Sequence, residues 1–400
     1  MAVGQQLFPT MYPVSGFKLG TTCAGIKSAD RPDLVVMELA EGSTVAALFT
    51  QNAFCAAPVR LCKDHLSTES PRYLVVNTGN ANAGTGAQGM NDAEQTCSAL
   101  ATLAGVAVNA VLPFSTGVIG EPLPMQPLLA GLPDAYHNLS EHGWADAAQG
   151  ILTTDTRPKG SSLQYGDQPI TITGISKGSG MIKPNMATML AYIATDALVD
   201  AELLHVALRQ VCDKSFNRIT VDSDTSTNDS VVLIATGASG VVVDEGNFDQ
   251  FVTHLQSVFV DLAQAIIRDG EGASKFVSVS VNGALDQDEA LRTAFTVAES
   301  PLVKTALFAS DPNWGRILAA VGRADIDQLE IDQVQIWLNS VLIVDAGARA
   351  PSYTEEAGQQ AMAADDIEIK INLNRGAAED TVWTTDFSYD YVRINAEYRT

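Results

Sequence analysis

Short apolar runs of strand length alternate with stretches of helical period along the whole of this 400-residue chain. That alternation limits the fold more than any single motif does. The runs 45–50, 73–77, 231–235, 277–281 and 335–344 read as strands. Residues 92–106 read as a helix behind Asn91 as N-cap, 144–151 as a short helix, 201–212 as a helix capped by Asp200, and 288–298 as another. The clearest helix covers 248–267. Its apolar positions, from Phe248 through Leu255, Val258 and Leu262 to Ile267, follow a 3.6-residue period, and Asp269-Gly270 supplies the exit. The alternation DIEIKINLN at 366–374 marks a half-exposed strand. Strands and helices interleave in both halves, so the class is α/β. The length allows two or three domains, or one large α/β body.

Between the halves lies KGSGMIKPNMATML, residues 177–190. Glycines and small polar residues lead into an apolar run, 189–193, that reads as a buried strand. Thr188 stands at the join. A threonine hydroxyl is a weak nucleophile until a base activates it, and one such base is the threonine's own α-amine. That amine exists only when the bond to Ala187 is cut. The chemical reading is therefore self-cleavage between Ala187 and Thr188, with Thr188 then acting as nucleophile. The plain alternative is a threonine that opens a strand after a turn. Lys177 and Lys183 flank the loop. They suit a substrate carboxylate, or they are solvated surface lysines, and the functional reading is preferred for Lys177.

Other segments carry polar chemistry. In STGVIG, Thr116 and Gly117 can supply a hydroxyl and an N–H to an oxyanion, and glycine lets a substrate approach the backbone. Residues 77–84, NTGNANAG, follow a strand and either bind a polar ligand or build Asx turns, with the turns favoured. Residues 220–229, TVDSDTSTND, lack the Gly and Glu positions of an EF-hand and read as a hydrogen-bonded loop beside a site rather than a calcium loop. Glu271 sits between Gly270 and Gly272, where it can face an ammonium group. DPNWGR at 311–316 reads as an aromatic and arginine corner.

Composition narrows the function classes. The formal charge of −23 argues against a nucleic-acid partner and against an anionic membrane surface. No apolar run approaches a membrane span. The five cysteines form no CxxC pair and the five histidines no HxH, HxxxH or HExxH, so neither a metal site nor a Ser-His-Asp triad is expected. Free thiols, and an N-terminus without a basic-then-apolar segment, point to the cytoplasm.

Read in order, GFKLGTTCAGIK, the 77–86 segment, STGVIG, TTDT, KGSGMIKPNMATML, SFNRITVDSDTSTND, RDGEGASK, DPNWGRI and the closing EYRT resemble the ornithine acetyltransferase family over nearly the whole chain. Gly84 stands where many relatives have Cys, and Ser223 where Gly is usual. The resemblance implies a fold of mixed sheets flanked by helices. It implies cleavage into residues 1–187 and 188–400, which stay associated as one catalytic unit and assemble as two such pairs. It implies Thr188 as nucleophile, Thr116 and Gly117 as the oxyanion hole, and Thr154, Lys177, Glu271, Asn395 and Thr400 as substrate contacts together with Thr188. The implied activity is ping-pong transfer of acetyl from N2-acetylornithine to glutamate in arginine biosynthesis, with no bound cofactor. Some members also accept acetyl-coenzyme A as co-substrate, and that bifunctional form is the preferred reading. Two rivals stand beside it. One is a self-cleaving aminopeptidase or amidohydrolase with water as acceptor. The other is a non-catalytic amino-acid-binding protein.

Overall fold

A computed structural model describes residues 2–4, 7–28, 30–183 and 189–397, and resolves the alternating runs into mixed sheets flanked by helices. Two units are distinguished. The larger comprises residues 7–217 and 224–266, the smaller residues 1–6, 218–223 and 267–400. The proposed cut after Ala187 falls inside the larger unit.

The larger unit carries two principal sheets. One has the order Phe17–Thr22, Leu34–Leu39, Tyr73–Asn80, Val111–Val118, and its last two strands run parallel. Parallel neighbours need a crossover, and the helix Gly86–Ala104 lies in that connection. The other has the order Thr44–Phe49, Ser230–Ala235, Leu190–Thr195, Ile170–Lys177, Lys159–Tyr165. There Ser230 pairs with Leu190 in the one parallel ladder, and the other ladders are antiparallel. Every residue of LAYIAT and SVVLIA is buried, which explains why these strands read as continuous apolar runs without alternation. Phe17, Leu74, Phe114, Trp144, Tyr192 and Val232 share one core cluster, which draws on both sheets and on the helix Trp144–Gly150. The Phe, Leu and Val side chains among them each contribute about 1.5–3 kcal/mol on full burial.

The smaller unit is built on a seven-stranded sheet, in which Phe276–Ala284 lies between Ala378–Thr385 and Asp366–Asn372. Asp366–Asn372 alternates exposed and buried residues as its sequence requires. The helix Gln287–Ala298 packs on the sheet, with the Asp286 carboxylate accepting from Glu289 N.

Two expectations need correction. The helix placed at 92–106 begins at Gly86, not after Asn91. Its first turn contains two glycines and looks like loop. Gly89 is required there, because an added Cβ would lie 1.8 Å from Thr85 Oγ1 and 2.4 Å from Asn82 Oδ1. The run 335–344 is a hairpin, Gln335–Leu338 and Val341–Asp345, rather than one strand. Asn339 turns it with φ of 51°, a conformation asparagine tolerates.

Lys304, on the helix Pro301–Phe308, is fully buried. Its Nζ donates to Thr384 Oγ1 at 2.8 Å and to the Thr385 carbonyl, and lies 4.6 Å from the centre of the Phe387 ring. Burial pushes its pKa down to about 7, although Asp386, Asp222 and Glu299 pull it upward. The unfolded chain keeps the ordinary value of 10.5. As pH falls from 10.5 towards 7, the unfolded chain takes up a proton that the folded chain resists, so this group's contribution becomes less favourable, and it is constant below that window. In urea unfolding, wild type should therefore gain roughly a few kcal/mol on Lys304→Met between pH 7 and pH 10. A difference that does not change with pH would mean that the buried lysine stays charged.

Candidate active site

Thr116 and Gly117 end the strand Val111–Val118, opposite Thr78 and Gly79 of its parallel neighbour. Gly117 has φ of 136°, and a Cβ there would come 2.2 Å from the Gly79 carbonyl carbon and 2.5 Å from Asn80 N. No side chain fits, so the two backbones meet directly. Around this point the polar groups satisfy one another. Ser115 Oγ donates to Asn77 Oδ1 at 2.6 Å, and Asn77 Nδ2 to the Asn80 carbonyl at 2.9 Å. Asn80 Nδ2 donates to the Glu121 and Pro122 carbonyls, and Asn82 Nδ2 to Gly89 O. The 77–84 segment is thus a brace bonded mainly to its neighbours, with one Asx-type bond of its own, Asn82 N to Asn80 Oδ1 at 2.8 Å, of the kind the turn reading named.

Lys177 closes the strand Ile170–Lys177. Its Nζ donates to Thr153 Oγ1 at 2.7 Å and to Thr116 Oγ1 at 3.3 Å. Asp155 Oδ2 lies 4.0 Å from the same nitrogen. The Asp155 side chain is fully buried; its Oδ1 accepts from Lys159 Nζ at 2.5 Å and from Gly178 N at 2.7 Å, and its Oδ2 from Thr153 N at 3.1 Å. Burial alone would raise its pKa, but Lys159, Lys177 and the Gly178 N–H outweigh that and hold the carboxyl well below the ordinary range. Asp229 behaves oppositely. Burial pushes its carboxyl well up, and the Ser226 hydrogen bonds and the Lys177 charge offset this only in part. Its Oδ2 has no hydrogen-bond partner among the described residues. Lys177 therefore acts on two buried carboxyl groups with opposite shifts, Asp155 held down and Asp229 pushed up.

The 224–229 part of the acidic loop serves as scaffold. Asn228 Nδ2 donates to the carbonyls of Ala81 and Ser115, and Thr50 Oγ1 to Ser226 O.

Glu271 and Asn395 belong to the smaller unit. Asn395 Nδ2 donates to Glu271 Oε2 at 2.8 Å and to the Tyr391 carbonyl at 3.0 Å. Gly272 permits this, because a Cβ at its φ of 68° would sit 2.4 Å from Tyr391 N and 2.5 Å from Ser388 Oγ. The loop is held from behind by Asp386, whose Oδ1 accepts from Ser274 N at 2.8 Å and Lys275 N at 2.9 Å. DPNWGR is a helix start. Asn313 Oδ1 accepts from Arg316 N at 3.1 Å, and Arg316 Nη1 donates to Leu302 O at 2.8 Å.

Of the residues singled out in the sequence, Lys177 is hydrogen-bonded to Thr116, whose neighbour is Gly117, and Glu271 to Asn395. Thr154 is half-buried beside Thr153. Ala187, Thr188 and Thr400 lie outside the described residues. Sequence reasoning missed Thr153, Asp155 and Lys159. The available signal was TTDT itself, which holds Thr153 and Asp155, with Lys159 four residues after the aspartate.

The ArgJ family model matches residues 18–400. The arginine biosynthesis bifunctional protein ArgJ of Pseudomonas fluorescens strain Pf0-1 is 55% identical over 406 residues, which span 100% of both chains. The protein of the same name from Methylococcus capsulatus is 53% identical over 393 residues, 97% of this chain and 96% of its own. Among solved structures, the arginine biosynthesis bifunctional protein argJ from Bacillus halodurans is 38% identical with a TM-score of 0.50, covering 52% of this chain and 99% of that one. No helix among the described residues is long and apolar enough to cross a membrane.

Proposed function

The chain belongs to the ArgJ family, and from that membership we propose that it is an acyltransferase of arginine biosynthesis, moving acetyl from N2-acetylornithine to glutamate. The observation that carries this reading is the end-to-end match to proteins named for that pathway. The hydrogen-bonded Thr116 and Lys177 support it, since they put a hydroxyl and an ammonium together beside a backbone with no side chain in the way.

Maturation comes first. The Thr188 hydroxyl attacks the Ala187 carbonyl, the chain shifts from nitrogen to oxygen, and water hydrolyses the ester. The released α-amine has a reference pKa of ~7.7–8.0, so an appreciable fraction is neutral near pH 7.5 and can accept a proton. In turnover the amine takes the Thr188 proton as the oxygen attacks the acetyl carbonyl. Thr116 and Gly117 stabilise the oxyanion; one such donor is worth about 2.7–4 kcal/mol. Ornithine leaves with the proton, an acetyl ester stays on Thr188, and the glutamate amine then takes the acetyl group. Thr154, Lys177, Glu271, Asn395 and Thr400 hold the substrates. Lys177 supplies positive charge for the shared α-carboxylate, and Glu271 negative charge for the ornithine-side ammonium. No cofactor stays bound, and acetyl-coenzyme A serves as a second acetyl donor. The enzyme works in the cytoplasm as two associated pairs of cleaved chains.

Purified protein given N-acetylornithine and glutamate should form N-acetylglutamate one-for-one with ornithine. Release of free acetate instead would make it a hydrolase. A second assay with acetyl-coenzyme A and glutamate alone should also give N-acetylglutamate, and no product there would limit the enzyme to acetyl recycling.

A further inference from the structure

We propose that Thr153 is a positioning residue which, through Lys177, turns the Thr116 hydroxyl proton towards the developing oxyanion. The inference rests on the functional reading above and deepens it.

Donor and acceptor accounting carries the argument. An ammonium group only donates. Lys177 Nζ lies 2.7 Å from Thr153 Oγ1 and 3.3 Å from Thr116 Oγ1, so both hydroxyl oxygens accept from it. The Thr153 proton is then directed to Asp155 Oδ2, 3.5 Å away. Asp155 cannot swing, because Lys159 Nζ and the N–H groups of Gly178 and Thr153 hold both of its oxygens. The chain of contacts therefore starts at a fixed anion and ends at Thr116. Among the described residues, the Thr116 proton has no acceptor of its own. It is free to donate to whatever oxygen enters the site. A hydroxyl whose oxygen accepts from a cation is a stronger donor than a free one.

Thr153 matters because a lysine is a point charge on a flexible stem. Losing the shorter of its two threonine contacts leaves the Nζ charge near Asp155 but loosens its alignment on Thr116. The positive charge would still attract a carboxylate, while the orientation of the Thr116 proton would be lost. Binding and rate should therefore separate.

The test compares Thr153→Val, which keeps the shape and removes the hydroxyl, with Thr153→Ser, which keeps the hydroxyl. Both are assayed for acetyl transfer from N-acetylornithine to glutamate. Thr153→Val should lower kcat by at least about tenfold, short of the loss of a direct oxyanion donor, with KM within about twofold. Thr153→Ser should restore most of kcat. If Thr153→Val does not fold, Thr153→Ala carries the same expectation. An unchanged kcat overturns the inference, whether or not KM rises, and so does an equal loss in the valine and serine variants. A wild-type enzyme that transfers no acetyl overturns the functional reading and this inference with it, whereas an active wild type with a fully active Thr153→Val overturns this inference alone.

Discussion

Thr188→Ala should abolish both chain cleavage and acetyl transfer. The same oxygen attacks twice, first the Ala187 carbonyl and then the acetyl group, so its removal strikes maturation and turnover together. Intact-mass measurement should find one uncut chain of 42.3 kDa. Activity should fall by on the order of 10⁴-fold or more, towards the background that substrate binding and oxyanion donors leave when a nucleophile is lost. Thr188→Ser keeps the hydroxyl and the α-amine and should still cleave and turn over. In wild type stopped mid-reaction, digestion should place the acetyl ester on Thr188. A processed and active alanine variant, or an ester on any other residue, would remove Thr188 from the mechanism.

The largest effect on stability is expected at Asp155. Asp155→Asn keeps the shape but deletes the carboxylate faced by two buried lysines, Lys159 at 2.5 Å and Lys177 at 4.0 Å. Removing one partner of a buried ion pair costs about 3–5 kcal/mol, because the remaining charge is stranded. For a body of this size that lowers Tm by roughly 10 °C. The pH dependence follows from the depressed pKa. Stability from this carboxylate is complete above its unfolded value of 3.8 and is lost as pH falls below that towards the folded value. Wild type should therefore lead Asp155→Asn fully at pH 7 and by less below pH 4. A loss under about 1 kcal/mol at pH 7 would mean that the cluster is hydrated like a surface pair.

Local patterning carried much of the fold. The 3.6-residue period of Phe248–Arg268 and the alternation of Asp366–Asn372 are direct images of one-sided burial, and both elements stand where those patterns put them. The Asp200 cap is equally local, accepting from Glu202 N at 2.8 Å. What stayed hidden depends on partners distant in sequence. The first turn of Gly86–Ala104 reads as loop until Asn82 and Thr85 are seen filling the space above Gly89. The turn at Asn339 lies inside an apolar run and is fixed by the exchange of hydrogen bonds with Glu368. Glycine punctuation exposed Thr116-Gly117 in the larger unit and Glu271 in the smaller, since backbone approach leaves a mark in composition. Thr153 left none. Its part comes from a lysine 24 positions away, and no spacing rule links them.

The order of strands in the five-stranded sheet bears on what happens to a nicked chain. Thr44–Phe49, Lys159–Tyr165 and Ile170–Lys177 would belong to the upstream product, Leu190–Thr195 and Ser230–Ala235 to the downstream one. The downstream pair is flanked on both sides by upstream strands, through two ladders of six residue pairs each. The fragments would be woven rather than docked, and separating them would mean unravelling the sheet. Before the nick, folding is a first-order event within one polypeptide; after it, reassembly is second-order and sensitive to dilution. Maturation would then act as a ratchet, fixing in place an architecture that the two pieces could regain only by finding each other again.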